Sequence, residues 1–350
     1  MAVVGCGAIA ISHLRALRQL NCVDVVAVCD TNDALARRSA DAYHVPSVYT
    51  DITELLANTR LDAVHVTTPP KTHASICDAA LTAGAHVLVE KPVVMTIGEL
   101  DQMRAVADVR GLQIGAVHNG LYQRAFARAL KLVASGEIGR IRAVHIADHM
   151  PVDYDLVRNP AHWCHSLPGG VFGEMLPHDV YLADALVQGL EMDAISMDGP
   201  GFFEWLHVDR VCALLRSDSA AVTIEASVQG RSWNKTVDII GTEGSLRIDR
   251  MCDVITHSRP NETWQRRAHL ARVGHGVAAW VVQSGTLAAA RTLGYPTSGH
   301  ATLIRAFYSS LDGGETPCAK ADALTRITHL YEMLVSAVDK GPGVTTTPRS

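Results

Sequence analysis

The amino-acid sequence predicts an α/β protein in which a parallel sheet with helices on both faces is followed by an α+β domain. Over the first 120 residues, short continuous apolar runs alternate with amphipathic stretches, the pattern of parallel strands buried on both faces. After His118 the pattern changes to alternating strand-like segments, which is typical of antiparallel strands with one buried face. The length of 350 residues suits two domains, which we place at 1–118 and 119–350.

The predicted elements of the first domain follow one another as strand, helix and strand. A strand ends at Val4, and a glycine turn leads into a helix with apolar residues at helical spacing. Only four residues precede Gly5, which indicates either a very short first strand or a start that lies further upstream. The remaining predicted strands are 25–29, 63–67, 87–89 and 113–117, and the remaining helices are 34–43, 73–83 and 97–110.

The second domain is predicted to combine strands with closing helices. An apolar segment at 277–291 is interrupted by polar residues and is too short to span a membrane, so we expect a packed or interface-forming helix there. The tail from Val344 to Ser350 is expected to fray. The predicted strands are 141–146, 208–215, 221–228, 236–240 and 245–248, and the other helices are 124–135, 300–311 and 321–338.

The composition limits the class of protein and its partners. The chain is 48% hydrophobic and 19% charged, which is ample for a buried core. Its net charge of -5 and its lack of a lysine or arginine run disfavour nucleic acid as a partner. Eight scattered cysteines form no CxxC pair, and the first residues do not resemble a signal peptide. We therefore expect reduced thiols and a cytoplasmic location.

A glycine motif at the first strand–helix turn indicates a dinucleotide-binding Rossmann domain. Gly5-x-Gly7-x-x-Ala10 follows a strand and opens a helix, the context that this motif requires. A glycine turn in an unrelated α/β protein is the alternative. In the Rossmann interpretation the cofactor's pyrophosphate lies at the N-terminus of the helix, where free amides favour an anion. The residues expected to face it are Gly5, Gly7, Ala8, Ile9 and Ala10.

Asp30 indicates which dinucleotide the domain takes. It lies at the tip of the second strand, about twenty residues after the glycine motif. A carboxylate there can accept hydrogen bonds from both ribose hydroxyls and repels a 2′-phosphate. Arg37 and Arg38 lie in the following helix, so NADP stays possible. We predict NAD as the cofactor.

Lys91 is the first candidate for catalysis. Glu90-Lys91-Pro92 directly follows the strand 87–89, and ligands bind at the carboxyl ends of strands in an open parallel sheet. A lysine at that edge can exchange a proton with a reacting hydroxyl. Taken alone, a surface Glu-Lys pair before a turn proline would be the better interpretation.

Further motifs make the sequence resemble the Gfo/Idh/MocA family of oxidoreductases. They are Thr68-Pro69-Pro70-x-x-His73 and the run from Gly84 to Pro92, followed by Gly169-Gly170-x-x-x-Glu174-x-x-x-His178 and the run from Gly241 to Leu246. The resemblance covers nearly the whole chain. It implies a doubly wound Rossmann sheet, followed by an α+β substrate-binding domain with a large, mostly antiparallel open sheet. It also implies a homodimer or homotetramer formed through the open face of that sheet.

The resemblance implies roles for individual residues. Lys91 matches the catalytic lysine, and His178 matches the histidine that binds the reacting hydroxyl or shares in proton transfer. Glu174 falls where the family commonly has aspartate, and a spacing of four places it on the same helical face as His178. Because proline suits only a first helical turn, Pro177 predicts that this helix begins near Gly173 or Glu174. Besides the glycine loop and Asp30, the residues implied to lie near the cofactor are Thr68, Pro69, His73, Glu90, Lys91 and Asn119.

The segment before the double glycine is a candidate for substrate binding. A tryptophan can stack on a sugar or nicotinamide ring and histidines can hydrogen-bond hydroxyls, although a structured loop is an equal alternative. His162, Cys164 and His165 are too crowded for the usual metal-ligand spacing, so we expect no metal. The full set of candidates for the substrate is Lys91, His118, Tyr122, His162, Trp163, His165 and His178.

Three functions are compatible with this pattern. The first is NAD(P)-dependent hydride transfer between the nicotinamide and a secondary alcohol or ketone of a sugar, cyclitol or sugar derivative. The second is a glycosidase or lyase that uses tightly bound NAD in a transient redox cycle, in which NADH never accumulates. The third is a non-catalytic NAD-binding regulator, against which the presence of both Lys91 and His178 argues. We predict the first.

Overall fold

The structure is a computed structural model that describes residues 1–258, 266–292, 299–313, 321–341 and 344–346. The chain divides into two compact units. The first takes in the described residues of Met1–Asn119 and Ser298–His329, and the second takes in those of Gly120–Thr297 and Leu330–Ser350. The predicted boundary after residue 118 differs from this division, because the chain returns to the first unit near its end.

The secondary structure contains the elements that the sequence predicts and several that it does not. The helices are α1 (Ala8–Leu17), α2 (Asp33–Tyr43), α3 (Ile52–Asn58), α4 (His73–Thr82), α5 (Ile97–Arg110), α6 (Arg124–Ala134), α7 (Asp155–Arg158), α8 (Val171–Leu186), α9 (Arg266–Thr292), α10 (Gly299–Leu311) and α11 (Ala321–Val338). The strands are β1 (Ala2–Val4), β2 (Ala27–Cys29), β3 (Ser47–Tyr49), β4 (Ala63–Val66), β5 (His86–Val89), β6 (Ile114–Ala116), β7 (Ile141–Pro151), β8 (Glu191–Asp198), β9 (Arg210–Arg216), β10 (Ala221–Gly230), β11 (Asn234–Gly241), β12 (Ser245–Asp249), β13 (Val254–Ser258) and β14 (Val344–Thr346).

The first unit is the doubly wound sheet that the sequence predicts. Its six strands are all parallel, in the order β3-β2-β1-β4-β5-β6. The order reverses beside β1, which has only three residues and is completely buried. Because parallel strands end at the same edge, the residues after β1, β2, β4, β5 and β6 meet along one side of the sheet.

A late segment of the chain completes the first unit. Helix α10 packs against α1, and the side chain of Phe307 lies where Gly115 leaves no room for a Cβ atom. The Ser310 hydroxyl donates to Oε1 of Gln113, which follows α5. These contacts place α10 with the parallel sheet, and sequence periodicity indicated none of them.

The second unit is built on an eight-stranded sheet in the order β13-β12-β11-β7-β10-β9-β8-β14. Only the pairing of β7 with β10 is parallel among the strands that the structure describes, so the sheet is mostly antiparallel as predicted. Buried and half-exposed residues alternate along β7, and α8 packs against β7 and β10. One face of the sheet therefore forms a core with α8, while the opposite face carries the more exposed residues.

Several elements differ from the prediction. Strand β3 and helix α3 were not predicted because three half-buried residues and seven helical residues are too short to show a clear period. Strands β8 and β13 were also missed, and α9 begins earlier than the predicted 277–291. The expectation of a frayed tail is wrong for β14, which pairs with β8, whereas 347–350 lie outside the described residues. No helix in the described part of the chain is long and apolar enough to cross a membrane.

Candidate active site

The glycine loop lies at the carboxyl edge of the parallel sheet. Gly5 has φ +93° and its amide donates to the carbonyl of Cys29 over 2.7 Å. A Cβ atom there would lie 2.7 Å from the Thr67 carbonyl carbon, so both the conformation and the space require glycine. Gly7, the N-cap of α1, is exposed with open space where a Cβ atom would lie, and Ala10 is fully buried against the sheet. The first amides of α1 are thus open to an anion.

Asp30 connects the tip of β2 to the glycine loop. Its Oδ2 accepts the Cys6 amide over 2.7 Å, and its Oδ1 accepts the Asn32 amide over 2.8 Å. These bonds orient the carboxylate and leave lone pairs for further donors. A cavity of 290 Å³ beside the loop is lined by Gly7, Arg15 and Arg38, among other residues. The other nearby arginine, Arg37, pairs with Asp33 on the surface.

His73 holds two loops of the first unit together. Its buried ring lies 2.8 Å from the Thr68 carbonyl through Nε2 and 2.8 Å from the Pro92 carbonyl through Nδ1. Burial lowers the pKa of His73, although the two carbonyl acceptors act in the opposite direction. Thr68 is half-buried and Pro69 is exposed at this edge. Since both ring nitrogens face protein carbonyls, any effect of His73 on a cofactor passes through the loops that carry Thr68 and Lys91.

Glu90 is anchored beneath the loop that carries Lys91. Its Oε1 lies 3.0 Å from Nε2 of His13 and 3.5 Å from Nε2 of His300, and its Oε2 accepts the Lys91 amide over 3.3 Å. Burial by itself raises the pKa of Glu90, but hydrogen bonds and positive charge from the two histidines outweigh it and hold that pKa well below its ordinary value. The half-buried Lys91 therefore follows a fixed, ionised carboxylate.

A chain of three rings extends from Glu90, and the first two, His13 and His65, are fully buried. His13 Nδ1 lies 2.9 Å from Nδ1 of His65, and His65 Nε2 lies 3.1 Å from the Tyr308 hydroxyl. Burial, and then the proximity of His13, lowers the pKa of His65 well below its ordinary value, so His65 is neutral. One arrangement of the ring hydrogens gives every donor an acceptor: Tyr308 donates to His65, His65 to His13, and His13 to Glu90.

Sequence reasoning missed this cluster, although one signal was available. His65 is the only polar residue in the buried strand β4, which is unusual for an apolar parallel strand. His13, Glu90 and His300 also place one possible ligand atom each within 4.8 Å of one another, a metal-compatible grouping that was not predicted. The close His13–Glu90 contact is accounted for as a hydrogen bond. At the end of β6, His118 is buried and Asn119 Nδ2 lies 3.3 Å from Nδ1 of His300.

In the second unit, α8 begins earlier than predicted and contains Pro177. It runs from Val171, after Gly169 and Gly170 with φ of +72° and +57°, so the expected start near Gly173 or Glu174 is wrong. Pro177 removes the amide that would bond the carbonyl of Gly173, four residues earlier. The Tyr331 hydroxyl donates to that carbonyl instead, over 3.3 Å. A side chain from α11 thus replaces the missing helical hydrogen bond.

His178 and Glu174 lie one turn apart in α8. Both are half-buried, and their spacing of four residues places them on one face of the helix. His178 Nδ1 lies 3.0 Å from the hydroxyl of Tyr181, and that hydroxyl also accepts the amide of Gly120 over 3.0 Å. Tyr122, two residues after Gly120, is half-buried. Tyr181 was not singled out from the sequence, because a tyrosine in an apolar helix is ordinarily a core residue.

A buried ion network fixes the next residue of α8. Asp179 Oδ1 accepts from Arg250 Nη1 over 3.1 Å, and Asp148 lies 2.7 Å from the ammonium group of Lys235. Both aspartates are completely buried. Burial, and then the proximity of Asp148, raises the pKa of Asp179 to about 7. Asp179 is thus connected through Arg250, which follows β12, to Asp148 of β7 and Lys235 of β11. This network fixes α8 at the residue next to His178.

The predicted substrate loop forms a short 3-10 helix, Trp163–Ser166, ahead of α8. His162 caps it by accepting the Cys164 amide, and the buried thiol of Cys164 donates to the carbonyl of Leu156 over 3.5 Å. His165 packs edge-on against Trp205, whose ring stacks on Phe203. Trp163 and Trp205 are 39% and 37% exposed, which is high for so large an apolar side chain. The β8–β9 loop therefore contributes aromatic surface that the sequence did not indicate.

Comparison with known proteins identifies the class. Residues 1–118 match the family described as "Oxidoreductase family, NAD-binding Rossmann fold", and residues 126–247 match the GFO/IDH/MocA C-terminal domain. The chain belongs to this family of NAD-dependent oxidoreductases, as the sequence motifs predict. The doubly wound parallel sheet of the first unit is the Rossmann fold that the first of these descriptions names.

Individual relatives are distant but cover most of the chain. An uncharacterized oxidoreductase, YrbE, from Bacillus subtilis is 25% identical and covers 71% of this chain and 72% of its own. Myo-inositol 2-dehydrogenase from Thermotoga maritima is 24% identical, with 71% and 75% covered. The WlbA dehydrogenase of Bordetella pertussis, solved with NADH and UDP-GlcNAcA, has a similar fold: TM-score 0.77, 20% identity, and 100% and 98% covered.

Proposed function

We propose that the enzyme transfers a hydride between NAD and a secondary alcohol or ketone of a sugar, cyclitol or sugar derivative. The observation that carries this proposal is the position of Lys91, directly after β5 at the edge of the sheet that also bears the glycine loop and Asp30. A lysine at the cofactor edge of a dinucleotide-binding sheet is suited to proton exchange with the reacting hydroxyl.

Each candidate residue has a role in the proposed reaction. When bound, NAD supplies the hydride acceptor. The side chain of Lys91 takes the hydroxyl proton as the carbonyl forms, and His178 holds the reacting oxygen. Glu174 is the third proposed catalytic residue and lies on the same helical face as His178. It is one methylene longer than the aspartate common in the family. Glu90 acts indirectly, because it accepts the Lys91 amide and so fixes the main chain at Lys91.

The proposed cofactor contacts lie along the carboxyl edge of the parallel sheet. The amides at the start of α1 bind the pyrophosphate, and Asp30 binds the ribose hydroxyls, which favours NAD over NADP. The residues assigned to the cofactor are Gly5, Gly7, Ala8, Ile9, Ala10, Asp30, Thr68, Pro69, His73, Glu90, Lys91 and Asn119. His73 contributes by holding the Thr68 and Pro92 carbonyls.

The proposed substrate is a ring with several hydroxyl groups. Exposed tryptophans beside histidines suit such a ring, because its C–H faces pack on aromatic surfaces while its hydroxyls take hydrogen bonds. The relatives named as inositol 2-dehydrogenases support a cyclitol or sugar of this kind. His118, Tyr122, His162, Trp163 and His165 are assigned to the substrate, and Trp205 extends the aromatic surface at His165.

Substitution of Lys91 tests the proposed function. A screen of sugars, inositols and nucleotide-sugars with NAD and NADP, followed by absorbance of the reduced cofactor, identifies the substrate. Lys91→Ala is expected to abolish turnover of that substrate while NAD binding, measured by calorimetry, stays close to wild type. Lys131→Ala removes an exposed lysine from α6 and serves as the matched control. Turnover that survives in Lys91→Ala would show that the assignment is wrong.

We also infer that the chain works in the cytoplasm as a homodimer or homotetramer. The seven cysteines that the structure describes are free thiols, in keeping with a reducing compartment. The face of the eight-stranded sheet opposite α8 carries half-exposed residues such as Thr223 and Leu214. A second copy of the chain packed on this face would bury them.

A further inference from the structure

The hydroxyl of Tyr181 is the polar group next to Nδ1 of His178. The two residues are three apart in α8, and the hydroxyl oxygen lies 3.0 Å from Nδ1. The phenol is 1% exposed and is among the largest fully buried side chains described. A buried tyrosine hydroxyl needs a hydrogen-bond partner, and the histidine assigned to the reacting oxygen lies at hydrogen-bond distance from it.

Gly120 supplies one hydrogen-bond donor to this hydroxyl. Its amide donates to the Tyr181 oxygen over 3.0 Å, which occupies one of the oxygen's lone pairs. A Cβ atom at position 120 would lie only 2.6 Å from the same oxygen, so the approach requires glycine. The oxygen keeps its phenolic proton, which can donate to a lone pair on His178 Nδ1.

We propose that Tyr181 is a positioning residue that holds His178 in the tautomer with its proton on Nε2. The tyrosine donates to Nδ1, and a neutral imidazole that accepts at Nδ1 carries its proton at Nε2. The hydrogen bond also fixes the orientation of the ring, as a second partner does for catalytic histidines in general. The catalytic meaning of this tautomer rests on the proposed function, whereas the tautomer itself does not.

The tautomer divides the chemistry between the two proposed catalytic residues. A neutral histidine that presents Nε2–H donates a hydrogen bond and cannot accept the substrate proton at that atom. In alcohol oxidation the hydroxyl proton therefore passes to Lys91, while the carbon gives its hydride to NAD and the C–O bond becomes a carbonyl. His178 donates from Nε2 to the oxygen as negative charge develops on it, and polarises the carbonyl in the reverse direction.

Nuclear magnetic resonance can read the tautomer directly, without a substrate. In long-range ¹H–¹⁵N spectra of ¹⁵N-histidine-labelled full-length enzyme above neutral pH, the unprotonated ring nitrogen resonates far downfield of the protonated one. The His178 signals are assigned by their loss in His178→Gln, since the chain has 17 histidines. We expect Nδ1 unprotonated in wild type and a mixture of both tautomers in Tyr181→Phe. Tyr308→Phe removes the hydroxyl of a half-buried tyrosine that bonds His65 instead, and is expected to leave the His178 signals unchanged.

Each result supports or overturns the proposal. A wild-type His178 protonated at Nδ1 would overturn it, as would an unchanged tautomer in Tyr181→Phe. If Tyr181→Phe does not fold, the wild-type spectrum still decides, and Gly120→Ala, which crowds the Tyr181 oxygen, replaces it as the variant. With the substrate from the screen, Tyr181→Phe is expected to lower kcat roughly tenfold with little change in the KM for NAD. An inactive wild type with the expected tautomer would contradict the proposed function alone.

Discussion

At the scale of single residues, Asp30, the carboxylate proposed to bind the ribose, already has two partners within the fold. Its two oxygens accept the amides of Cys6 and Asn32, so the side chain is oriented before any cofactor binds. A preoriented acceptor loses little conformational entropy on binding. The same negative charge opposes a 2′-phosphate.

Replacing Asp30 should therefore affect both cofactor affinity and cofactor choice. Asp30→Asn keeps the shape but removes the charge and weakens the bond from the Cys6 amide. We expect the KM for NAD to rise roughly tenfold, which corresponds to ~1.4 kcal/mol, and the preference for NAD over NADP to shrink. Steady-state kinetics with both cofactors measures this, with the exposed Asp33→Asn as the control. A wild-type preference for NADP would contradict the assignment of Asp30.

The buried His118 should make the protein sensitive to mild acid. Burial lowers the pKa of His118 from its ordinary value of 6.5 to about 4, with Glu90 acting in the opposite direction. Between these values the unfolded chain binds a proton that the folded protein does not, so the stability contribution is full above pH 6.5 and falls as the pH drops toward 4. The loss amounts to about 3 kcal/mol.

Urea unfolding across that pH range measures the effect. The free energy of unfolding of wild type should fall more steeply between pH 6.5 and 4 than that of His118→Gln, which cannot take up the proton. His207→Gln, at an exposed position, should follow wild type. Parallel curves for wild type and His118→Gln would show that His118 is not the group responsible.

Residues in the glycine motif and in the Glu90-Lys91-Pro92 turn could be predicted from the sequence because each motif has a defined spacing. The residues that contact them could not be predicted in this way. His13, His65 and His300 reach Glu90 and its neighbours from α1, β4 and α10, positions that only the folded chain brings together. Short-range periodicity carries no information about such contacts.

At the scale of elements, α8 shows why one local rule failed. Proline is expected only in a first helical turn, yet Pro177 lies inside the helix. The rule assumes that the carbonyl four residues earlier stays unpaired. The Tyr331 hydroxyl, from α11, bonds the Gly173 carbonyl and removes that cost. Tertiary structure thus permits what the local sequence disfavours.

A double-mutant cycle tests this compensation. Tyr331→Phe should destabilise the protein by about 1–3 kcal/mol, because it leaves a buried carbonyl without a partner. In a Pro177→Ala background the cost should be smaller by about 1 kcal/mol, since an alanine at that position supplies the helical amide that the carbonyl lacks. Urea unfolding of the four proteins gives the coupling. Equal costs in both backgrounds would show that Tyr331 does not act through the Gly173 carbonyl.

At the scale of the whole molecule, the sequence predicted both sheets and their types but not their extent. Long periodic segments and glycine-marked turns identified most helices and central strands. Strands β3, β8, β13 and β14, at or next to the sheet edges, were missed because such strands are short or partly exposed, so their apolar pattern is weak. The membership of α10 in the first unit depends on packing against α1, which no local pattern reports.

The proposed assembly can be tested on the same scale. Light scattering after size exclusion should give a mass of two or four chains of 37.6 kDa. Thr223→Arg places a charge at the centre of the half-exposed sheet face, and should shift the protein toward monomer. Val109→Arg, at a position that is 88% exposed on α5, should not. A wild type that runs as a monomer would contradict the assembly.

The return of the chain to its first unit constrains how the protein is made. The parallel sheet emerges first from the ribosome, but α10, which covers it at Gly115, is synthesised only after the entire run of strands from β7 to β13. A nascent chain therefore carries an incomplete nucleotide-binding sheet through most of its translation. A protein truncated at residue 118, where the sequence analysis places the boundary, would lack α10. In that protein Gly115 would not be covered by Phe307, and Gln113 would lose its hydrogen bond with Ser310.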